Sequence, residues 1–147
     1  MLVSGVFEPQ ALPLMTGAIS TEVVDPGLSP VNIIHVSDPW KVHVTWNMTG
    51  DFVPPLPATG KWHLRVYAES VGPGASAVVS SKDVTVGSVP LVGKTRSYDD
   101  NLDVPANALP PGLYRVVTVI TIDDGTLPIP NPVPIAAFGE GPVMQFF

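Results

Sequence analysis

The chain reads as all-β: a two-sheet antiparallel sandwich with little or no helix. Glycine (13) and proline (18) together fill 31 of 147 positions, and no stretch longer than 12 residues escapes them. An interior proline costs a helix about 3 kcal/mol and globular helices average about 11–12 residues, so long helices have nowhere to form. The runs between these residues alternate apolar and polar side chains, the period of a strand whose two faces meet different surroundings. About eight short runs at this spacing make a sandwich or a barrel, and the sandwich is taken here.

Residues 1–30 carry prolines at 9, 13, 26 and 30 and read as an extended N-terminal arm leading into a first strand at 17–25. A strand folded back on its own domain satisfies the same pattern. Residues 31–147 form the sandwich domain, starting with a short strand over 31–37 that stops at Asp38-Pro39. The clearest strand covers 41–48, where Val42, Val44, Trp46 and Met48 face one way and Lys41, His43, Thr45 and Asn47 the other. After a loop stiffened by Pro54, Pro55 and Pro57, residues 61–69 repeat the pattern. Trp62, Leu64, Val66 and Ala68 point in; His63, Arg65, Tyr67 and Glu69 point out. Gly72-Pro73-Gly74 makes a turn before weaker strands at 75–80 and 82–87 and a further one at 94–98, while 88–108 as a whole lacks a clean alternation. Pro110-Pro111-Gly112 opens the strand 113–122, with Tyr114, Val116, Thr118, Ile120 and Ile122 on one face. Leu113, Val117, Val119 and Thr121 make its second face apolar as well, which predicts cover on both sides. Asp123-Asp124-Gly125 signals a turn, and alternating Pro128, Pro130, Pro132 and Pro134 enforce an extended connection to a last strand through 135–138 and 142–147.

Three of these runs resemble a fibronectin type III or immunoglobulin-like sandwich. Val42-x-Val44-x-Trp46 is similar to the family's second strand, whose tryptophan plugs the core, and Trp62-x-Leu64-x-Val66 to the third. Leu109-Pro110-Pro111-Gly112-Leu113-Tyr114 resembles the entry into the sixth strand, and the resemblance implies a tyrosine that caps the corner there. It also implies core positions for Trp46, Trp62 and Tyr114, and a role in binding or structure, although the chain is longer than a typical module of this kind.

Composition narrows the function classes. The net charge is −6, and no lysine or arginine precedes Lys41. Nucleic-acid binding needs clustered cations to displace counterions, so it is not expected. The same absence removes a secretory leader, which leaves a cytoplasmic location as the default expectation, and no run approaches the ~20 apolar residues of a membrane span. No cysteine is present, so disulfides and thiolate chemistry are excluded. Charged residues make up only 14% of the chain, which predicts surface covered by other subunits.

Chemical motifs are sparse. His35, His43 and His63 with Glu69 match no zinc spacing. Asp99, Asp100 and Asp103, with Asn101, form the densest acidic cluster and stand as weak calcium candidates in a loop, without EF-hand spacing or its central glycine. Gly72-Pro73-Gly74-Ala75-Ser76-Ala77 has the GxGxxA spacing of a phosphate loop but precedes strand-forming residues rather than a helix. No GxSxG elbow occurs, and no two carboxylates are placed across a cleft. Pro54-Pro55-Leu56-Pro57 lacks a close basic flank and reads as a stiff loop. No catalytic residue, resident metal or cofactor is expected.

The ends are apolar. Phe7, Leu12, Leu14, Phe146 and Phe147 are the candidate interface anchors, and 143–147 would be an aggregation hazard as a free edge. The expectation is therefore a non-enzymatic structural or interaction protein that partners itself in a homo-oligomer or filament, through edge-strand addition by 1–25 or 143–147. The alternative is a monomeric module that binds a glycan or protein with loops around 49–60 and 99–108.

Overall fold

The computed structural model describes residues 2–8, 14–74 and 76–147, so Leu12, and Ala75 within the glycine-rich motif, lie outside the described residues. Ten strands follow in order: β1 (Val3–Ser4), β2 (Val6–Glu8), β3 (Thr16–Val24), β4 (Ile33–Ile34), β5 (Trp40–Thr49), β6 (Lys61–Ser70), β7 (Ala77–Thr85), β8 (Thr95–Val104), β9 (Gly112–Asp123) and β10 (Pro132–Phe146). The only helical element among the described residues is a single 3₁₀ turn, Val86–Ser88. No helix among them is long and apolar enough to cross a membrane.

One sheet has the order β1-β3-β5-β8; the other runs β2-β10-β9-β6-β7, with β4 alongside the end of β10. All pairings are antiparallel except β4 with β10. The protein is thus an all-β antiparallel two-sheet sandwich, an arrangement compatible with an immunoglobulin-like fold.

The alternating runs of β5 and β6 set the core. Val42, Val44, Trp46 and Met48 from one sheet and Trp62, Leu64, Val66 and Ala68 from the other are all buried. The Tyr98 ring stacks on Trp46 at 4.9 Å, and Trp62 stands edge-on to both, 6.1 Å from Trp46 and 5.7 Å from Tyr98. At the other end of the core, Phe146 meets Trp40 at 5.4 Å and Tyr114 at 5.6 Å. The Tyr114 hydroxyl donates to the Pro110 carbonyl four residues upstream (3.0 Å), closing the corner where β9 begins.

Three stretches differ from the sequence expectation. Residues 75–80 and 82–87 are not two strands: Ser81-Lys82 runs straight through β7, with an irregularity opposite Val66 and Tyr67. The strand foreseen at 94–98 extends to Val104, so the acidic run lies on a strand and not in a loop. Its inward side includes Arg96 and Asp100 beside Tyr98, Leu102 and Val104, which hides the alternation. At the rim of the sandwich these two charges find partners, Arg96 on the Val89 carbonyl and Asp100 on Lys82 (2.6 Å). Finally, no further layer of the described residues covers the second face of β9.

The described part of the N-terminal arm pairs within its own chain. β1 lies on β3 in one sheet and β2 on β10 in the other, so the chain changes sheets at Gly5. The Gly5 N–H donates to the Ile19 carbonyl (2.8 Å). A Cβ at Gly5 would collide with the Phe138 carbonyl oxygen and lie 2.7 Å from Ile19 Cγ2. The C-terminal residues are held too: Phe147 N–H donates to Ile34 O (3.1 Å) and Val36 N–H to Phe147 O (2.8 Å).

Urea unfolding tests these joints. Gly5→Ala should cost about 1–3 kcal/mol, the range for forcing extra atoms into a packed site. Tyr114→Phe should cost about 1 kcal/mol, the net worth of one hydrogen bond. Trp62→Ala should cost about 3–5 kcal/mol.

Candidate functional site

The two outer faces of the sandwich differ in kind. On the four-stranded sheet, register places Thr16, Thr49 and Thr95 in one row, Ala18, Asn47 and Ser97 in the next, then Ser20, Thr45 and Asp99, then Glu22, His43 and Asn101. Two hydrogen bonds link neighbours in these rows, the Thr49 and Thr95 hydroxyls 2.6 Å apart and His43 Nε2 2.6 Å from Asp99 Oδ1, while Asn101 Oδ1 is buried without a partner among the described residues. Such a face suits water.

The outer face of the other sheet mixes charged side chains with large apolar ones. Val119 is in register with Arg65 on β6 and with Phe138 on β10, and Phe138 with Val6 on β2. The adjoining row holds Val78, Tyr67, Val117 and Glu140. Phe138 is 42% exposed, Val6 44% and Val78 53%, although each is a large apolar side chain on a strand. Exposed apolar side chains therefore occur on β2, β10 and β7 with Val119 and Tyr67 between them, interrupted by Arg65, Ser81 and Glu140, and clusters of this kind mark interaction sites.

Next to this cluster, His63 joins three strands. Its Nδ1 lies 2.7 Å from Asp83 Oδ1 on β7, and its Nε2 lies 2.6 Å from Asp123 Oδ2 at the end of β9. Both bonds to ionised carboxylates require a proton on each nitrogen, so the ring is held as imidazolium and has no free lone pair to act as a base. Partial burial alone would lower the His63 pKa; the hydrogen bonds and charges of Asp123 and Asp83 outweigh it and raise it above 6.5. Burial alone would raise Asp123, but the bond from His63 and the N–H groups of Gly125 and Lys61 lower it. The N–H groups of Thr126 and Asn131 hold the exposed Asp124 carboxyl at about 2, tying the proline-rich loop into a closed ring. An open groove of about 880 Å³ runs beside His63, lined by Glu8, Thr121, Asp123, Pro130, Pro132 and Pro134 among others.

The residues singled out from the sequence are dispersed. Trp46, Trp62 and Tyr114 are in the core. So are Phe7, which packs on Trp62 at 6.3 Å, and Phe146. Leu14 is partly exposed, and Phe147 is exposed with its ring edge-on to His35 at 4.9 Å. The three weak calcium candidates are spread along β8, each with a partner of its own: Asp99 with His43 (2.6 Å), Asp100 with Lys82 (2.6 Å) and Asp103 with Lys41 (3.3 Å). No group of three metal-ligating side chains occurs among the described residues. The His63 bridge and the place of Val6 and Val78 in the apolar cluster were not foreseen. The doubly apolar pattern of β9 was a signal for the second of these; the bridge had none.

No protein-family model and no curated protein matches the sequence. The molecule is accordingly defined by its architecture, an all-β two-sheet sandwich with one polar outer face and one on which apolar and charged side chains are mixed.

The His63 bridge has a pH signature. A raised folded-state pKa contributes stability that is fully present below 6.5, the unfolded value, and lost as pH rises through the folded value. His63→Gln should therefore be less stable than the parent by about 0.5–1 kcal/mol at pH 6, on the scale of exposed ion pairs. The gap should close by pH 9, as read by denaturant titration at both pH values.

Proposed function

We propose that the protein is a non-enzymatic structural or interaction protein that assembles with copies of itself. The observation that carries this reading is the contrast between the two outer faces: one is polar, whereas the other exposes the large apolar side chains Val6, Val78, Leu113, Phe138 and Val143 among its charges. The low charged fraction of 14% agrees with it, since a subunit that buries a face needs less charge. Edge addition by the ends would require residues 3–8 or 143–147 to leave the pairings they make at home, so the face rather than the ends supports assembly here. The His63 bridge supports a non-enzymatic role, because its imidazole is occupied on both sides.

Solution mass across a concentration series tests the reading, with negative-stain images of the same fractions. Mass should rise with concentration above the 15.5 kDa of one chain. A 15.5 kDa species at every concentration would overturn self-assembly. The groove beside His63 would then be the place to screen for a glycan or protein ligand.

A further inference from the structure

We infer that a second copy of this chain docks on the mixed apolar and charged outer face, related to the first by a two-fold axis running along β9. The inference rests on the self-assembly reading above and gives it a geometry.

The register of the sheet contains its own complement. Val119 pairs with Arg65 on one side and with Phe138 on the other, and Val117 pairs with Tyr67 and Glu140 in the same sense. A two-fold axis along β9 lays β6 of one copy over β10 of the next, so each row meets itself reversed. Arg65 then faces the ring of Phe138 of the second copy, and the Tyr67 hydroxyl faces the Glu140 carboxylate. Val117 and Val119 face their own symmetry mates on the axis. So does Arg115, whose charge Glu140 (3.9 Å) offsets, and the row through His63 sets Glu8 against Asp83, whose charge His63 offsets. A guanidinium over an aromatic ring, a phenol donating to a carboxylate and valine against valine are all favourable contacts.

Three further observations favour a second copy over an unrelated partner. Arg65, exposed among the apolar side chains, forms no ion pair among the described residues, and Glu140 has only a loose one, 3.9 Å from Arg115. Both are thus available to a partner. The charges on this face nearly cancel, with Lys61, Arg65, Arg115 and protonated His63 set against nearby carboxylates, whereas the whole chain carries −6. Two acidic copies meet with least repulsion on such a face. Its size is of the right order: β6, β7, β9 and β10 at about 30 Å each and the three-residue β2 at about 10 Å, spaced about 4.8 Å apart, give on the order of 600 Å², against the roughly 800 Å² each partner buries in a standard interface.

The test is sedimentation equilibrium on the full chain, its variants and their mixtures, with circular dichroism to confirm that each is folded. Val119→Asp sets two carboxylates against each other on the axis and should weaken self-association about tenfold or more. Thr45→Asp, on the polar face, should leave it unchanged. Phe138→Ala should weaken it several-fold, and it keeps the test decisive if Val119→Asp does not fold. Arg65 and Phe138 lie two strands apart within one chain. If they touch only between copies, the double variant Arg65→Ala/Phe138→Ala should lose no more than the worse single variant. Assembly that survives both Val119→Asp and Phe138→Ala would overturn the inference while leaving self-assembly through another surface. A monomeric parent chain would overturn both.

Discussion

Tyr98 lies flat on Trp46 with Trp62 edge-on to both, and this triad holds the two sheets at their spacing. Trp46 and Tyr98 come from the four-stranded sheet and Trp62 from the other, so the contact fastens one layer to its neighbour. The large apolar rings contribute through their buried area, and edge-to-face geometry adds to it. The Tyr98 hydroxyl extends the contact by donating to the Val86 carbonyl (2.7 Å) in the 3₁₀ turn beyond β7. Burial raises the pKa of that phenol, which keeps it a donor over the whole neutral range. Once the triad has fixed how the layers face each other, the inner sides of β5, β6, β8 and β9 have one register in which their alternation is satisfied.

The rim is then closed by polar contacts rather than by more core. Lys82 reaches Asp100, and the Ser80 hydroxyl donates to the Asp103 carbonyl (2.8 Å), both from β7 across to β8. The Arg96 guanidinium donates to Val89 O on the same side. These bonds stitch the edge strands of the two sheets where apolar side chains would be left wet. The opposite edge is closed in part by backbone: β2 pairs with Ala136, Ala137 and Phe138, and β4 with Gln145 and Phe146, on the outer side of β10. Both edge solutions leave the mixed apolar and charged outer face as the surface without an internal partner.

Much of this was legible in the residues. Strands with clean alternation, such as β5 and β6, declared both their extent and their inward faces, because half-burial imposes a period of two. The Tyr114 corner was readable from Pro110-Pro111-Gly112 and the apolar run behind it. β8 was not, since its inward side alternates charged rim residues with core residues, and a one-dimensional pattern cannot know that Lys82 will come within 2.6 Å of Asp100. The His63 bridge was illegible for the same reason, as its carboxylates lie 20 and 60 residues away in sequence. Val117 and Val119 did announce an apolar second face. What covers it was beyond the pattern, because a face buried by a further layer and one buried by another molecule have the same sequence.

β10 is also a matter of timing. Among the described residues, its residues 132–146 are the sheet partner of both β2 and β4, segments that lie far upstream in sequence. Those earlier segments, with their apolar side chains Phe7 and Ile34, lack that partner until β10 has been made. Contacts so far apart in sequence are slow to form, because the loop between them must close before anything is gained. β2 and β4 therefore take their places in the sheet only after β10 has been made, and until then they are unpaired strands of the kind that invites misassembly.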